Sequence, residues 1–157
     1  MKSIRILSLF LILATLGCLF VSCSQNGDNI QLPERDFYDM TVSFQIKNSS
    51  GRTMVSAENY NYKGHEEPTI LNIISDYLYI VEEFKCTIDK NNTLVQVGNT
   101  KARSGEYWAF MDGIDHDVQA ILANSSLQKK YFIDQKMSEY LIEDGGQFTI
   151  VLVPSAD

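Results

Sequence analysis

One long stretch of this chain has the period of a helix, while most of the segments around it have the period of a strand. Between Thr69 and Glu83, Ile70, Ile73, Ile74, Tyr77, Leu78 and Val81 recur at spacings of three and four. That spacing gives an α-helix one broad apolar face. Pro68, with Glu66 and Glu67 before it, suits a helix entrance, where a fixed φ and negative charge are both favoured. Upstream, Met40, Val42, Phe44 and Ile46 alternate with Thr41, Ser43, Gln45 and Lys47, the pattern of a half-buried strand. "NSSG" then turns the chain and "RTMVSAENYNYK" runs back as a second strand, making a hairpin. A single one-faced helix has to bury that face on something, and the strands supply it. The expected class is α+β, a β-grasp-like mixed sheet with one main helix on one face. The other face is then left for solvent, a second layer or a partner.

The rest of the chain adds strands. "EFKCTI", the turn "DKNN" and "TLVQVG" read as a second hairpin, and Glu106 to Met111 as a further strand ended by Asp112-Gly113. Residues 114–136 form an insertion. Val118, Ile121 and Leu122 hint at a short helix there, which Asn124, Ser125 and Ser126 interrupt. "SEYLIEDGGQFTIVLV" closes the chain with a short apolar piece, an Asp-Gly-Gly turn and a last strand that alternates and then becomes continuously apolar.

The strand before Asp112 holds the only tryptophan, with aromatic neighbours. Alternation sends Tyr107, Ala109 and Met111 to one face and Trp108 and Phe110 to the other. Tyr107, Trp108 and Phe110, together with Tyr60 and Tyr62 of the first hairpin, are the candidate ligand-binding residues, since flat side chains with a polar handle suit binding surfaces. Three occupants are open for the Trp108 and Phe110 face: a ligand, a protein partner, or the chain's own insertion packed over it.

The N-terminus reads as an export signal. Lys2 and Arg5 precede a nearly all-apolar run from Ile6 to Val21, shorter than the 18 or so residues of a membrane span. A bacterial lipoprotein signal ends at a small residue before a cysteine that becomes the lipidated first residue. Cys23 follows Ser22 and precedes a polar stretch, whereas Cys18 is followed by more apolar residues. Cys23 is therefore the expected lipidation site, with Cys18 as the alternative. This divides the chain into a signal peptide at 1–22, a flexible tether at 23–38 and a domain at 39–154, and places it outside the cytoplasm on the bacterial cell membrane. Losing Lys2 and Arg5 with the signal would take the net charge from −7 to −9, a surface that repels nucleic acid. Cys86 is left without a disulfide partner and reads as a small apolar residue on a strand.

Motifs for chemistry are absent. No Gly-x-Ser-x-Gly, phosphate loop or zinc-protease pattern occurs, and Glu82 and Glu83 point different ways at a helix end. The two histidines, His65 and His116, make no histidine-rich metal centre, and Asp112, Asp115, His116 and Asp117 lack the EF-hand order. No catalytic residue and no metal site is assigned, and the protein is not expected to be an enzyme.

Gly105, Tyr107, Trp108, Asp112, Gly113, Tyr140, Asp144 and Gly145 carry a resemblance. A glycine and a Tyr-Trp pair lead a strand ending in Asp-Gly, and a second "Y-x-x-x-D-G" opens the last strand. From about Asp39 to Val153 the chain in this way resembles the transcobalamin-like C-terminal domain, a β-grasp module frequent in bacterial surface lipoproteins. The resemblance implies a ligand-binding domain, with cobalamin or a related corrinoid as ligand. The insertion of about twenty residues after Gly113 is longer than the short connection usual in that family. The sequence holds no stretch for the helical domain that, in vertebrate cobalamin carriers, holds the other side of the corrin. The second reading is a surface protein–protein interaction or structural module with no small-molecule ligand.

Overall fold

The computed structural model describes residues 36–80 and 85–154. The signal at 1–22 with Cys18, the lipidation site Cys23, the tether as far as 35, and Val81, Glu82 and Glu83 lie outside the described residues.

Strand β1 (Tyr38–Lys47) buries Met40, Val42, Phe44 and Ile46 on one face, as the alternation predicts. The turn that follows is tied by Asn48, whose Oδ1 accepts from the backbone N–H groups of Ser50 and Arg52. Gly51 adopts φ +74° in it, a left-handed conformation that a Cβ disfavours. β2 (Thr53–Gly64) returns antiparallel, with a register shift between Val42 and Phe44. Helix α1 (Ile70–Ile80) lies within the expected range and buries Ile70, Leu71, Ile73, Ile74 and Leu78 in the same core as that β1 face. Phe44 meets Tyr77 of α1 edge-on, with ring centroids 5.1 Å apart, and stacks on Phe148 at 5.1 Å.

β3 (Cys86–Ile88), β4 (Leu94–Val97) and β5 (Thr100–Lys101) form a small antiparallel sheet whose Leu94 and Val97 enter the main core. Its first two strands are the expected second hairpin. β5 has only two residues, too few to carry a period, and nothing in the sequence announces it. Then come β6 (Tyr107–Asp112), the short helices α2 (Val118–Leu122) and α3 (Ser125–Tyr131), and β7 (Gln147–Val153).

The main sheet has the order β2-β1-β7-β6. β7 runs parallel to β1, with Phe44 opposite Phe148 and Ile46 opposite Ile150, and antiparallel to β6, with Trp108 opposite Leu152 and Phe110 opposite Ile150. The fold is thus α+β, a mixed sheet with its one main helix on one face. The continuous apolar run of β7 now has its cause. The strand is interior to the sheet and covered on both sides, so each of its side chains from Phe148 to Val153 is buried, at about 1.5–3 kcal/mol for each large apolar one. Its one buried hydroxyl is satisfied: Thr149 Oγ1 donates to the Gly113 carbonyl at 2.7 Å.

The faces of β6 narrow the three occupants left open for its Trp108 and Phe110 face. Trp108 and Phe110 do not lie beneath the helices of the insertion; they belong to the main core with α1. Ala109 and Met111 are the residues that α2 and α3 cover, in a second core with Val118, Ile121, Val151 and Val153. Alternation fixes that the two sets oppose each other but not which layer each meets, and both sets are apolar enough for either. The interrupted helix of the insertion is in fact two helices. Asn124 ends nothing; its Oδ1 caps α3 by accepting from Ser126 N–H at 2.9 Å and Leu127 N–H at 3.3 Å.

Candidate functional site

β6 is an edge strand, and the insertion wraps around its free side. From α2 and α3 on one face the chain passes Phe132 and reaches the edge, where Ile133 N–H donates to the Phe110 carbonyl at 3.0 Å. Ile133 and Met137 then pack with the α1-side core. Between this wrap, the β3–β4 turn at Asn92 to Leu94, and β6 lies an open cleft of about 570 Å³. Tyr107, Trp108 and Phe110 all line it. Three of the five candidate residues therefore share one concavity.

Their exposures differ. Tyr107 is 52% exposed and Trp108 only 7%. The indole Nε1 of Trp108 is buried with no hydrogen-bond partner, a state that costs about 1–3 kcal/mol relative to a satisfied donor. Lys129 and Lys136 bring positive charge to the cleft, with Asp134 opposing it. Lys136 is bonded to Glu139 at 3.0 Å, whereas Lys129 has no ion-pair partner among the described residues. The residues that sequence reasoning missed are those of the wrap, notably Lys129, Ile133 and Met137. The aromatic and apolar run Tyr131-Phe132-Ile133 near the end of the insertion was the available signal.

Tyr60 and Tyr62 are elsewhere, on β2 at the opposite edge of the sheet. Both face α1. Tyr60 packs edge-on against Tyr77 at 5.0 Å and donates its hydroxyl to Asp76 Oδ2 at 2.6 Å. Tyr62 is buried and donates to the Glu66 carbonyl at 3.0 Å. Burial and, for Tyr60, the Asp76 carboxylate raise both hydroxyls above the usual tyrosine pKa, Tyr60 by a wide margin. Their polar handles are thus used within the chain, and the structure does not bring them to the cleft.

Apart from Tyr107 and Trp108 in the cleft, the residues that carried the resemblance shape turns and tie segments together. Gly105, Gly113 and Gly145 have φ of +85°, +80° and +78°. Tyr140 donates its hydroxyl to Asp112 Oδ1 at 2.9 Å, and burial followed by that bond raises its pKa. Asp144 Oδ1 accepts from Thr41 N–H at 2.8 Å while Gly145 N–H donates to the Thr41 carbonyl at 2.8 Å, so this turn fastens β1 to the entry of β7. His116 sits against the Asp112 carbonyl and the Tyr131 ring. Among the described residues no three of His, Cys, Asp and Glu gather as metal ligands would. Cys86 is a free, partly buried thiol packed on the main core.

No family model matches this sequence, and no curated protein matches it either. By fold the chain is similar to haptocorrin in its crystal structure in complex with Cbi, with TM-score 0.51 at 10% identity over 76% of this chain and 26% of that one. The chain thus spans about a quarter of haptocorrin's length. A protein of Ruminococcus gnavus ATCC 29149 suggested to bind metal aligns at TM-score 0.42 and 7% identity, over 75% of this chain and 99% of that one. The haptocorrin likeness is one of fold, in the same direction as the transcobalamin-like resemblance of the sequence.

Proposed function

We propose that the protein is a membrane-anchored extracytoplasmic lipoprotein that binds rather than catalyses, with a corrinoid, cobalamin or a relative, as the ligand of the β6 cleft. The observation that carries the reading is the convergence of Tyr107, Trp108 and Phe110 on one cleft. Its volume, about 570 Å³, falls in the range of small-molecule sites. Its open form suits a large flat ligand gripped from one side, with aromatic groups beneath and polar groups at the rim. The fold likeness to haptocorrin, whose structure holds Cbi, supports the same ligand class. Anchoring through Cys23 rests on the signal pattern of the sequence.

The test follows the emission of Trp108, the sole tryptophan, in the soluble piece 24–157 as cobinamide or cobalamin is added. Saturable quenching is expected, weakened about ten-fold in Tyr107→Ala, as for loss of an aromatic contact at a binding site. A linear loss of signal that tracks only the absorbance of the added corrinoid overturns the ligand assignment. In the same system, full-length Cys23→Ala is expected to leave the membrane fraction. Release by Cys18→Ala instead moves the anchor.

A further inference from the structure

The two edges of the main sheet are finished differently. β2 exposes Ser56, Glu58, Asn59, Asn61 and Lys63, and its register breaks near Asn59, whose φ is 50°. Charge and a bulge of this kind block pairing with another strand. β6 has an unbroken register with β7 and carries no charge or proline between Tyr107 and Met111. Along an antiparallel pair, backbone groups alternate between the partner and the free side. The Ile133 bond to the Phe110 carbonyl shows that Phe110, and therefore Trp108, directs its backbone groups outward. The N–H and C=O of Trp108 and the N–H of Phe110 have no hydrogen-bond partner among the described residues.

We propose that the stretch of the β6 edge left open ahead of the Ile133 bond, at Trp108 and the Phe110 N–H, receives an extended peptide segment of a partner protein as a short added strand, with an acidic side chain of that segment set against Lys129. Donors and acceptors that alternate at strand pitch are matched by another extended backbone, which offers both at the same period. Ile133 already makes one such bond, so backbone can approach the edge at bonding distance. The cleft beside the edge gives apolar walls, Trp108, Phe110 and Met137, to alternate side chains of the incoming strand. A second copy of this chain is the weaker occupant, because a net charge of −7 repels itself. Lys129, the cation of the cleft with no ion-pair partner among the described residues, selects a carboxylate. This partner is independent of the corrinoid reading, and the two would compete for the cleft.

The experiment adds the blocked hexapeptide TVEVTV, at up to millimolar concentration, to the full chain in detergent and follows amide hydrogen exchange residue by residue. Exchange at Trp108 and Phe110 is expected to slow at least about ten-fold at saturation, since both amides become bonded. The same peptide N-methylated at alternate residues should give no protection. Lys129→Glu should weaken binding about two- to five-fold, the range of an exposed ion pair, and a peptide with Lys in place of Glu should recover it. Absence of protection at both amides, equal protection by the N-methylated peptide, or equal affinity for the Glu and Lys peptides each overturns the proposal. Cobinamide added to parallel samples separates the two readings. Trp108 quenching without peptide protection leaves the corrinoid site and ends this one, and protection without quenching does the reverse.

Discussion

Tyr60 holds its proton more tightly than a free tyrosine, because it is buried and its hydroxyl donates to the Asp76 carboxylate. The folded pKa lies above the ordinary value of 10.0, so the stabilisation is complete below pH 10 and is lost as the pH rises beyond it. Tyr60→Phe should cost about 1.5–3 kcal/mol at pH 7, the worth of a hydrogen bond to a charged group. Above pH 10 the variant should lose stability less steeply than the parent, as read by urea melts at pH 7 and pH 10.5. At this scale the sequence was informative about identity and silent about partners. Tyr60 and Tyr62 read as binding residues because they are flat with a polar handle. Those handles are taken up inside the chain, that of Tyr62 by the Glu66 carbonyl four residues on and that of Tyr60 by Asp76 once α1 lies on the sheet. The two Asp-Gly pairs were legible as turns because the demand their glycines meet is local, a left-handed φ, whereas the partners of their aspartates, Tyr140 and Thr41, lie far off in the chain.

Among elements, those with a sustained period or a bounded apolar run were legible and those without were not. β1 and α1 each carry enough apolar residues at one spacing to name their type, and β7 is marked instead by a short apolar run after an Asp-Gly-Gly turn. α2 and α3 have five and seven residues, less than two full turns each, so no period can establish itself. Two side chains secure their join, Asn124 as the cap and Gln128, whose Nε2 donates to the Leu122 carbonyl at 2.8 Å. Asn124→Ala removes the acceptor for the Ser126 and Leu127 N–H groups and should cost about 1 kcal/mol by thermal melt. Which face of β6 the insertion would cover was not legible, because Trp108 and Phe110 on one side and Ala109 and Met111 on the other are both apolar sets. The cleft was legible only in its β6 wall. Its other wall comes from Ser125 to Met137, a segment whose position follows from wrapping a strand edge rather than from any pattern of its own.

Across the whole molecule the sheet is closed by its first and last strands, about a hundred residues apart in the chain. The order β2-β1-β7-β6 puts β7 between the N-terminal hairpin and β6, so neither half of the sheet meets the other without it. A chain ending at Gly146 should therefore show no cooperative transition in urea, while the complete chain unfolds in one. Folding of the complete chain should take milliseconds to seconds by stopped flow, since so distant a pairing has to form. The parallel β1–β7 pair has a mechanical meaning as well. Its five residue pairs run from Ser43 with Gln147 to Lys47 with Val151, and the two strands leave it from opposite ends when the chain is drawn out ahead of Tyr38 and beyond Val153. Tension along that line slides one strand along the other and loads every bond of the pair together, whereas tension across a hairpin opens its bonds one after another. A domain stretched in this direction resists as a clamp, and yields only when the whole seam gives way at once.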